Sequence, residues 1–550
     1  MEKVFSPKLF GLIKDGSVKK NLSKDILAGV VVGIVAIPLA IAFAVASGVS
    51  PEKGIITAIV AGFLISFLGG SRVQIGGPTG AFIVIVYGII QEYGIDGMII
   101  ATILAGVIMI GFGLLRLGTL LKFIPHPLIV GFTSGIALVI FSTQISNALG
   151  LTIADVPSSF IGKWGAYFSN LDTVNWYAVG ITIVTILITV YMPKITSRVP
   201  GSFVAILLIT PVAMFLLPEN SVTTIGSLFG EIKCNFEPVI PTIEWENLSY
   251  YLQPALTIAI LGSIESLLSA VVADGMISGH HRSNTELIAQ GIANIASSLF
   301  GGIPATGAIA RTATNVKNGG RTPVAGITHA VVLLLIMLFF GKWASLIPMS
   351  CLAGILIVVS YNMSEWRSFR SILRASVFDV VILLVTFFLT VLVDLTVAIE
   401  IGVVLAALLF MKRMADNAPK EIIGATNLDQ DISENYKDLP KGLGIYEISG
   451  PFFFGSAKTY CETIRNLGVN YSVLIIRMRH VPFVDSTGLK NLKETILQLT
   501  KENTRIVLSG VSEPVKKDLL KGGVGELVGV DNIYPKFDIA LRAAKEMIEK

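Results

Sequence analysis

Charge is what this chain is short of. Asp, Glu, Lys and Arg make up 15% of its 550 residues, and the formal net charge is only +4. So small and dispersed a charge excludes nucleic acid as a partner, since that needs a concentrated basic face. It also excludes an ordinary soluble domain, in which about 25% of residues are charged. Cysteine is scarce as well: Cys234, Cys351 and Cys461 are an odd, widely spaced set. That excludes a disulfide framework and a zinc motif, and the three read as small buried residues. His126, His280, His281, His329 and His480 show no ligand spacing. No metal site, catalytic set or resident cofactor is therefore expected, and His329, in an apolar run, reads as a hydrogen-bonded core residue rather than a proton relay.

What abounds is apolar sequence, 53% of the chain, gathered into runs long enough to span a bilayer. Candidate segments cover 26–47, 54–70, 80–92, 97–117, 126–149, 174–192 and 201–217, then 250–275, 285–300, 306–317, 324–341, 345–361, 376–394 and 396–413. The first resembles a signal peptide, with Lys19, Lys20 and Lys24 before it and Ala44-Val45-Ala46 at its end. It is longer than a typical signal core and many spans follow, so it reads as the first transmembrane helix. Segments 80–92 and 306–317 are too short to cross alone at 1.5 Å per residue.

Loop charges agree with this count. With the N-terminus inside, even-numbered segments exit to Arg72, to Arg116 and Lys122, to Lys194 and Arg198, to Arg282, to Lys317 and Arg321, to Arg367, Arg370 and Arg374, and to Lys412 and Arg413. The longest opposite loop, 218–249, holds Glu219, Glu231, Glu237, Glu244 and Glu246 against Lys233. The bias puts both termini in the cytoplasm. Seven segments per half also force the second half to insert upside down, an inverted-topology repeat.

Each half carries a near-identical break. Residues 76–81 read Gly-Gly-Pro-Thr-Gly-Ala, and residues 301–311 read Gly-Gly-Ile-Pro-Ala-Thr-Gly-Ala-Ile-Ala-Arg. Pro and Gly leave backbone groups unpaired at membrane depth, which is tolerated only where the backbone is buried in protein or lines a polar cavity. Paired breaks in two halves point to a transporter's binding site. The short segments then read as half-helices whose N-termini, each worth roughly half a positive charge, face each other and cradle an anion. Thr79, Gly80 and Ala81 on one side and Thr306, Gly307 and Ala308 on the other are the candidate contacts. Gly/Ala helix packing is the plainer alternative.

Glu265 stands in the otherwise apolar stretch 258–269. An ionisable group there costs about 2.5–3.5 kcal/mol to insert and is a functional candidate by default. Beside an anion site it would couple transport to a proton or Na⁺, with Ser269 one turn on. The alternative is a structural carboxylate facing the half-helix ends. Asp274, near the end of the segment, reads as solvated. Arg311 either holds the substrate's charge, pairs with Glu265, or extends its stem to the surface. Pro38 implies a kink or unwound turn in the first segment, with Ala42 and Phe43 beyond it as substrate contacts or packing.

After Arg413 the composition turns polar and acidic. We divide the chain into a cytosolic N-terminal segment (1–25), a transmembrane region (26–414), a linker (415–441) and a small α/β domain (442–550). Strands are expected at 443–448, 473–478 and 505–509, and helices at 487–501 and 537–548. Asp485, Ser486, Thr487 and Gly488 stand at a helix N-terminus, suited to a nucleotide phosphate or a phosphorylated Ser486, or simply an N-cap.

These residues resemble the SulP/SLC26 family of anion transporters over nearly the whole chain. The carriers are the first segment with its proline, Gly77-Pro78-Thr79, the stretch 263–269, Asn294, residues 301–315, and Asp485 to Gly488, which is similar to the STAS domain. The branch it most resembles includes bacterial C4-dicarboxylate and bicarbonate transporters. The resemblance implies a polytopic α-helical membrane protein with fourteen segments as 7+7 inverted repeats, in the fold shared with nucleobase permeases. Segments 1–4 and 8–11 form a core that moves as an elevator against a gate of segments 5–7 and 12–14. It also implies a homodimer in the bacterial inner membrane and a STAS domain that meets a cytosolic protein or nucleotide. In sodium-coupled bicarbonate members the positions of Glu265, Ser269 and Thr306 hold the ion, but with aspartate and threonine in place of Glu265 and Ser269. Here Na⁺ and H⁺ both stay open. In animal members the position of Arg311 sits beside the anion. A secondary active transporter of sulfate, bicarbonate or C4-dicarboxylate is the expected function. The alternatives are an uncoupled anion channel or exchanger, a nucleobase permease and a regulatory scaffold.

Overall fold

The computed structural model describes residues 4–119, 125–153, 156–157, 159–195, 201–218, 221–230, 236–242, 249–393, 395–416 and 440–549. Lys122, Arg198, Glu219, Glu231, Lys233, Cys234, Glu244, Glu246 and most of the 415–441 linker lie outside the described residues. Internal contacts divide the chain into two units, Met1–Val404 and Leu405–Lys550.

The first unit is helical. A short helix α1 (Lys8–Lys14) buries Leu9 and Leu12. Next come α2 (Ser17–Ala46) and α3 (Pro51–Leu68), the two-residue strand β1 (Gly76–Gly77) and α4 (Phe82–Leu114). Helices α5 (His126–Leu149), α6 (Phe160–Ser169), α7 (Trp176–Ile195), α8 (Gly201–Phe215) and α9 (Ile225–Phe229) complete the first half. The second half holds α10 (Leu252–Ile277), α11 (Ser283–Leu299), β2 (Thr306–Gly307) and α12 (Ile309–Lys317). It continues with α13 (Val324–Ala344), α14 (Met349–Met363), α15 (Trp366–Ile372), α16 (Val377–Leu392) and α17 (Leu395–Asp416).

Each of the fourteen expected segments falls on a helix. Segments 80–92 and 97–117 run into one helix interrupted at Gly94, whose φ of 70° and ψ of −172° only glycine adopts freely. Among the described residues α2, α3, α4, α5, α7 and α10 are each long and apolar enough to cross a membrane. Two expectations need correcting. Helix α2 begins nine residues before position 26, in its charged stretch, and it passes Pro38 without an unwound turn. A proline deletes one N–H, and close neighbours make that loss tolerable inside a membrane helix. The helices pack in two groups: α2, α3, α4, α10, α11, α12 and α13 mainly on one another, and α5, α7, α8, α14 and α16 likewise.

The second unit is a parallel sheet in the order β3 (Leu443–Ser449), β4 (Val473–His480), β5 (Arg505–Ser509) and β6 (Ile533–Tyr534). Alternate strand residues point to opposite faces. Tyr446, Leu474, Ile476 and Leu508 pack under α18 (Ala457–Gly468), α19 (Ser486–Lys501), α20 (Glu513–Lys521) and α21 (Val524–Val528). Ile445, Val473, Ile475 and Val507 pack under α22 (Phe537–Glu549). With both faces covered the strands read as apolar runs, which is why three of them were visible in the sequence. Strand β6 and helices α18, α20 and α21 were not anticipated. Cys351 and Cys461 are buried free thiols. Burial pushes the Cys461 thiol up to about 11, which leaves it unreactive.

Candidate functional site

The two glycine–proline breaks meet. Gly76 pairs with Gly307 and Gly77 with Thr306 in an antiparallel ribbon of β1 and β2, and the Ala308 N–H extends it to the Ile75 carbonyl at 2.8 Å. The breaks therefore satisfy each other's backbone in place of water, as bilayer depth requires. Helix α4 starts five residues after Gly77 and α12 two residues after Gly307, so each N-terminus follows one strand of the crossing. Their first N–H groups have no intrahelical acceptors. Ala81 and Ala308 are the N-cap residues, and Ile309 and Ala310, the first two residues of α12, are exposed.

Helix α10 lies along this ribbon and meets it with one stripe. The Gly262 carbonyl accepts the Thr306 hydroxyl at 2.8 Å. A Glu265 carboxyl oxygen accepts the Thr79 hydroxyl at 3.0 Å. The Gln74 amide donates to Ser266 Oγ at 2.9 Å, and Ser269 Oγ lies 3.2 Å from Thr312 Oγ1, which also accepts the Ile75 N–H. Positions 262, 265, 266 and 269 have the i, i+3, i+4, i+7 spacing of one helix face. Glu265 is half-buried whereas Thr306, Ser266 and Ser269 are buried. The three residues expected to hold a coupling ion thus have separate partners, and only Glu265 remains partly accessible.

Arg311 takes neither an ion pair with Glu265 nor a surface position. It is 2% exposed, and its guanidinium reaches back to the Pro78 carbonyl of the other half. Nη1 lies against Gly77, where an added Cβ would stand 2.5 Å away and where φ is 146°. The glycine is thus required both by backbone angle and by the arginine. Nη1 finds no hydrogen-bond partner among the described residues, so a positive donor stands beside the crossing. Gly80 faces Met363 and Ile140, and Gly307 has the Gln74 amide packed directly on its Cα. Pro38, Ala42 and Phe43 are buried in α2; Ala42 and Phe43 belong to the apolar cluster that includes Phe82 and Leu261. Asp274 is not simply solvated, because its Oδ2 accepts both the backbone N–H and the Nδ1 of His281 at 2.7 Å. His329 is fully buried in α13, as a core residue would be, but neither ring nitrogen has a hydrogen-bond partner among the described residues, contrary to the hydrogen-bonded core histidine expected.

The structure also contains a carboxylate that the sequence reading passed over. Glu286, 0% exposed, accepts the N–H groups of Gly70 and Ser71 at 2.8 and 3.2 Å. Its other oxygen accepts the Ser266 hydroxyl and the Gln290 amide at 3.1 and 2.9 Å. Through Ser266 this network supports Gln74 and the ribbon. The rule that flagged Glu265, an acid inside an apolar segment, applied equally to position 286. Asn294 likewise clamps the loop before β2, accepting from Ala305 N–H and donating to its carbonyl, both at 2.8 Å.

In the second unit Asp485 is the N-cap of α19: Oδ1 accepts the Gly488 N–H at 2.7 Å and Oδ2 the Phe454 N–H at 3.0 Å. Ser486 and Thr487 are exposed, and Gly488 is buried under the Phe452 carbonyl.

Comparison with known proteins agrees with this architecture. The Sulfate permease family matches residues 22–386 and the STAS domain matches residues 437–540. The chain is 41% identical to the "Putative sulfate transporter YvdB" of Bacillus subtilis, over 96% of this chain and 98% of that one. It is 31% identical to the "Bicarbonate transporter BicA" of Synechocystis, over 96% and 94%. The solved transmembrane domain of a cyanobacterial BicA is 32% identical, with a TM-score of 0.64 over 69% of this chain and 97% of that chain. The fold is shared with SLC26A9 at a TM-score of 0.87 and 19% identity, covering 98% of this chain and 93% of that one. A helix-crossing membrane unit followed by a STAS fold places the chain in the sulfate permease (SulP/SLC26) family, whose members are anion transporters and not enzymes.

Proposed function

We propose that this protein is a secondary active transporter that holds one small anion at the crossing of β1 and β2 and carries it by an elevator movement. The carrying observation is the antiparallel pairing of Gly76–Gly77 with Thr306–Gly307, from whose two strands α4 and α12 each lead off. Oriented N–H groups and the free Nη1 of Arg311 favour negative charge. They do so without recognising a particular anion, so sulfate, bicarbonate and C4-dicarboxylates all suit the site. The names of the relatives, sulfate and bicarbonate transporters, support the first two.

Glu265 is the coupling group in this reading. Glu265 is half-buried beside the crossing, and among the described residues its carboxyl is hydrogen-bonded only to Thr79. A proton or Na⁺ on it removes the repulsion between carboxylate and anion, so the two solutes load together. The group containing α4, α10 and α12 carries the site, and the group containing α5 and α14 forms the wall it slides against. Both termini lie in the cytoplasm, the membrane is the bacterial inner membrane, and the working form is a homodimer. The turn 485–488 is the STAS contact for a cytosolic protein or nucleotide.

The test is uptake into vesicles of sulfate, bicarbonate and succinate under imposed Na⁺ or H⁺ gradients. One of these accumulates against its own gradient in the wild type. Glu265→Gln binds the same anion but equilibrates it only. Normal accumulation by that variant would make Glu265 structural, and no uptake of any anion by the wild type would overturn the transport reading.

A further inference from the structure

A cavity lies apart from the crossing, between α5, α14, α15 and α16. Its volume is about 520 Å³, within the range of a small-molecule site. Phe141, Trp366, Phe369, Phe387 and Phe388 dominate its lining. Trp366 and Phe369 stack at 6.1 Å, and Phe369 meets Phe387 edge-on at 5.4 Å. The lining serines offer little to water, because their hydroxyls are already donated to the backbone: Ser134 to Ser364 O, Ser360 to Ile357 O and Ser364 to Tyr361 O.

The helix that supplies Trp366 and Phe369 is cationic. Arg367 and Arg370 lie on α15 itself and Arg374 just beyond it, all exposed and without an ion pair among the described residues. Arg370 follows Trp366 by four residues and so shares the face of the cavity's aromatic rim. An apolar slot lined by the 58% exposed Trp366, on a short helix that also carries exposed Arg367 and Arg370 with Arg374 just beyond its end, matches one kind of molecule. That molecule has an apolar tail and an anionic head.

We propose that this cavity binds an anionic phospholipid, with an acyl chain among the aromatic rings and the headgroup phosphate on Arg367, Arg370 and Arg374. A second copy of the chain fits less well. A twofold contact at this face would set like-charged rims against each other. The lipid would also sit directly behind the transport site. Ile140 and Met363, on neighbouring faces of α5 and α14, are what a side chain added at Gly80, just before the first half-helix, would meet. Filling the cavity stiffens the wall against which the site-bearing helices slide.

The experiment is native mass spectrometry of the full chain, taken from nanodiscs of phosphatidylcholine mixed with phosphatidylglycerol. It scores bound lipid without any transport assay, so it stands or falls separately from the anion reading. Wild type retains phosphatidylglycerol over phosphatidylcholine. At about fivefold per arginine, the triple variant Arg367→Gln, Arg370→Gln, Arg374→Gln lowers that preference on the order of a hundredfold. Ala137→Phe, which puts a bulky ring into the cavity, lowers retained lipid of either headgroup. The triple variant changes only exposed side chains and keeps the test usable if Ala137→Phe misfolds. No headgroup preference in the wild type, or an unchanged preference in the triple variant, overturns the proposal. So does an Ala137→Phe protein that keeps its lipid but no longer self-associates, which would assign the face to a second copy.

Discussion

Two carboxyl groups on neighbouring helices, Glu265 on α10 and Glu286 on α11, meet opposite environments. Glu286 is fully enclosed and both of its oxygens are occupied, by two backbone N–H groups, a hydroxyl and an amide. Glu265 is half-buried and holds one hydroxyl. An acid inside a membrane helix is costly in either place. At Glu286 that cost is met by fixed donors, and the group can do little except hold Gly70, Ser71 and Ser266 together. At Glu265 lone pairs remain for a proton, a cation or water. The number of acceptor positions already filled is what separates these two carboxyls most sharply.

Substitutions can break or sharpen this contrast. Glu286→Ala strands four buried donors, each worth about 1–3 kcal/mol when unpaired. We expect a loss of about 4 kcal/mol or more in denaturant unfolding of the detergent-solubilised protein; stability within about 1 kcal/mol of wild type would remove the distinction. Glu265→Gln has little such burden. It should unfold within about 1 kcal/mol of wild type while losing accumulation, which paired unfolding and uptake measurements read together.

The twin threonines offer a finer version. Thr306→Ala leaves the buried Gly262 carbonyl without its added donor and should cost about 1 kcal/mol of stability. Thr79→Ala frees Glu265 and should instead shift the pH or Na⁺ dependence of uptake, with stability nearly unchanged. If the two alanine variants behave alike, the halves are equivalent and the asymmetry assigned to Glu265 is wrong. The smallest effect is expected in the STAS unit. Asp485→Ala removes an N-cap worth about 1 kcal/mol, seen as a lower thermal midpoint, whereas Ser486→Ala should fall within about 0.5 kcal/mol.

The same contrast explains what was legible in advance. The breaks at 76–81 and 301–311 were visible because Gly and Pro interrupt apolar runs, and each of the fourteen segments falls on a helix. Glu265 stood out among apolar neighbours, while Glu286 escaped because it follows the polar stretch Ser283-Asn284-Thr285 at the head of its segment. Pro38 shows no unwound turn: the helix runs on through it. Arg311 was open to three readings, and the contact it makes is with Pro78, 233 residues away. The STAS strands were readable as apolar runs, but α18, α20 and α21 are short and amphipathic and gave weaker signals.

Composition and periodicity alone determined that this chain crosses a membrane many times and ends in a small α/β domain. Both follow from local rules, the length needed to span hydrocarbon and the spacing of apolar residues along a helix or strand. Which atoms face one another was decided only by folding. The ribbon joins residues more than two hundred positions apart, and the stripe on α10 gains its meaning from what lies across from it. Hydrogen-bond partners at that separation depend on how whole helices pack, and no local pattern encodes them.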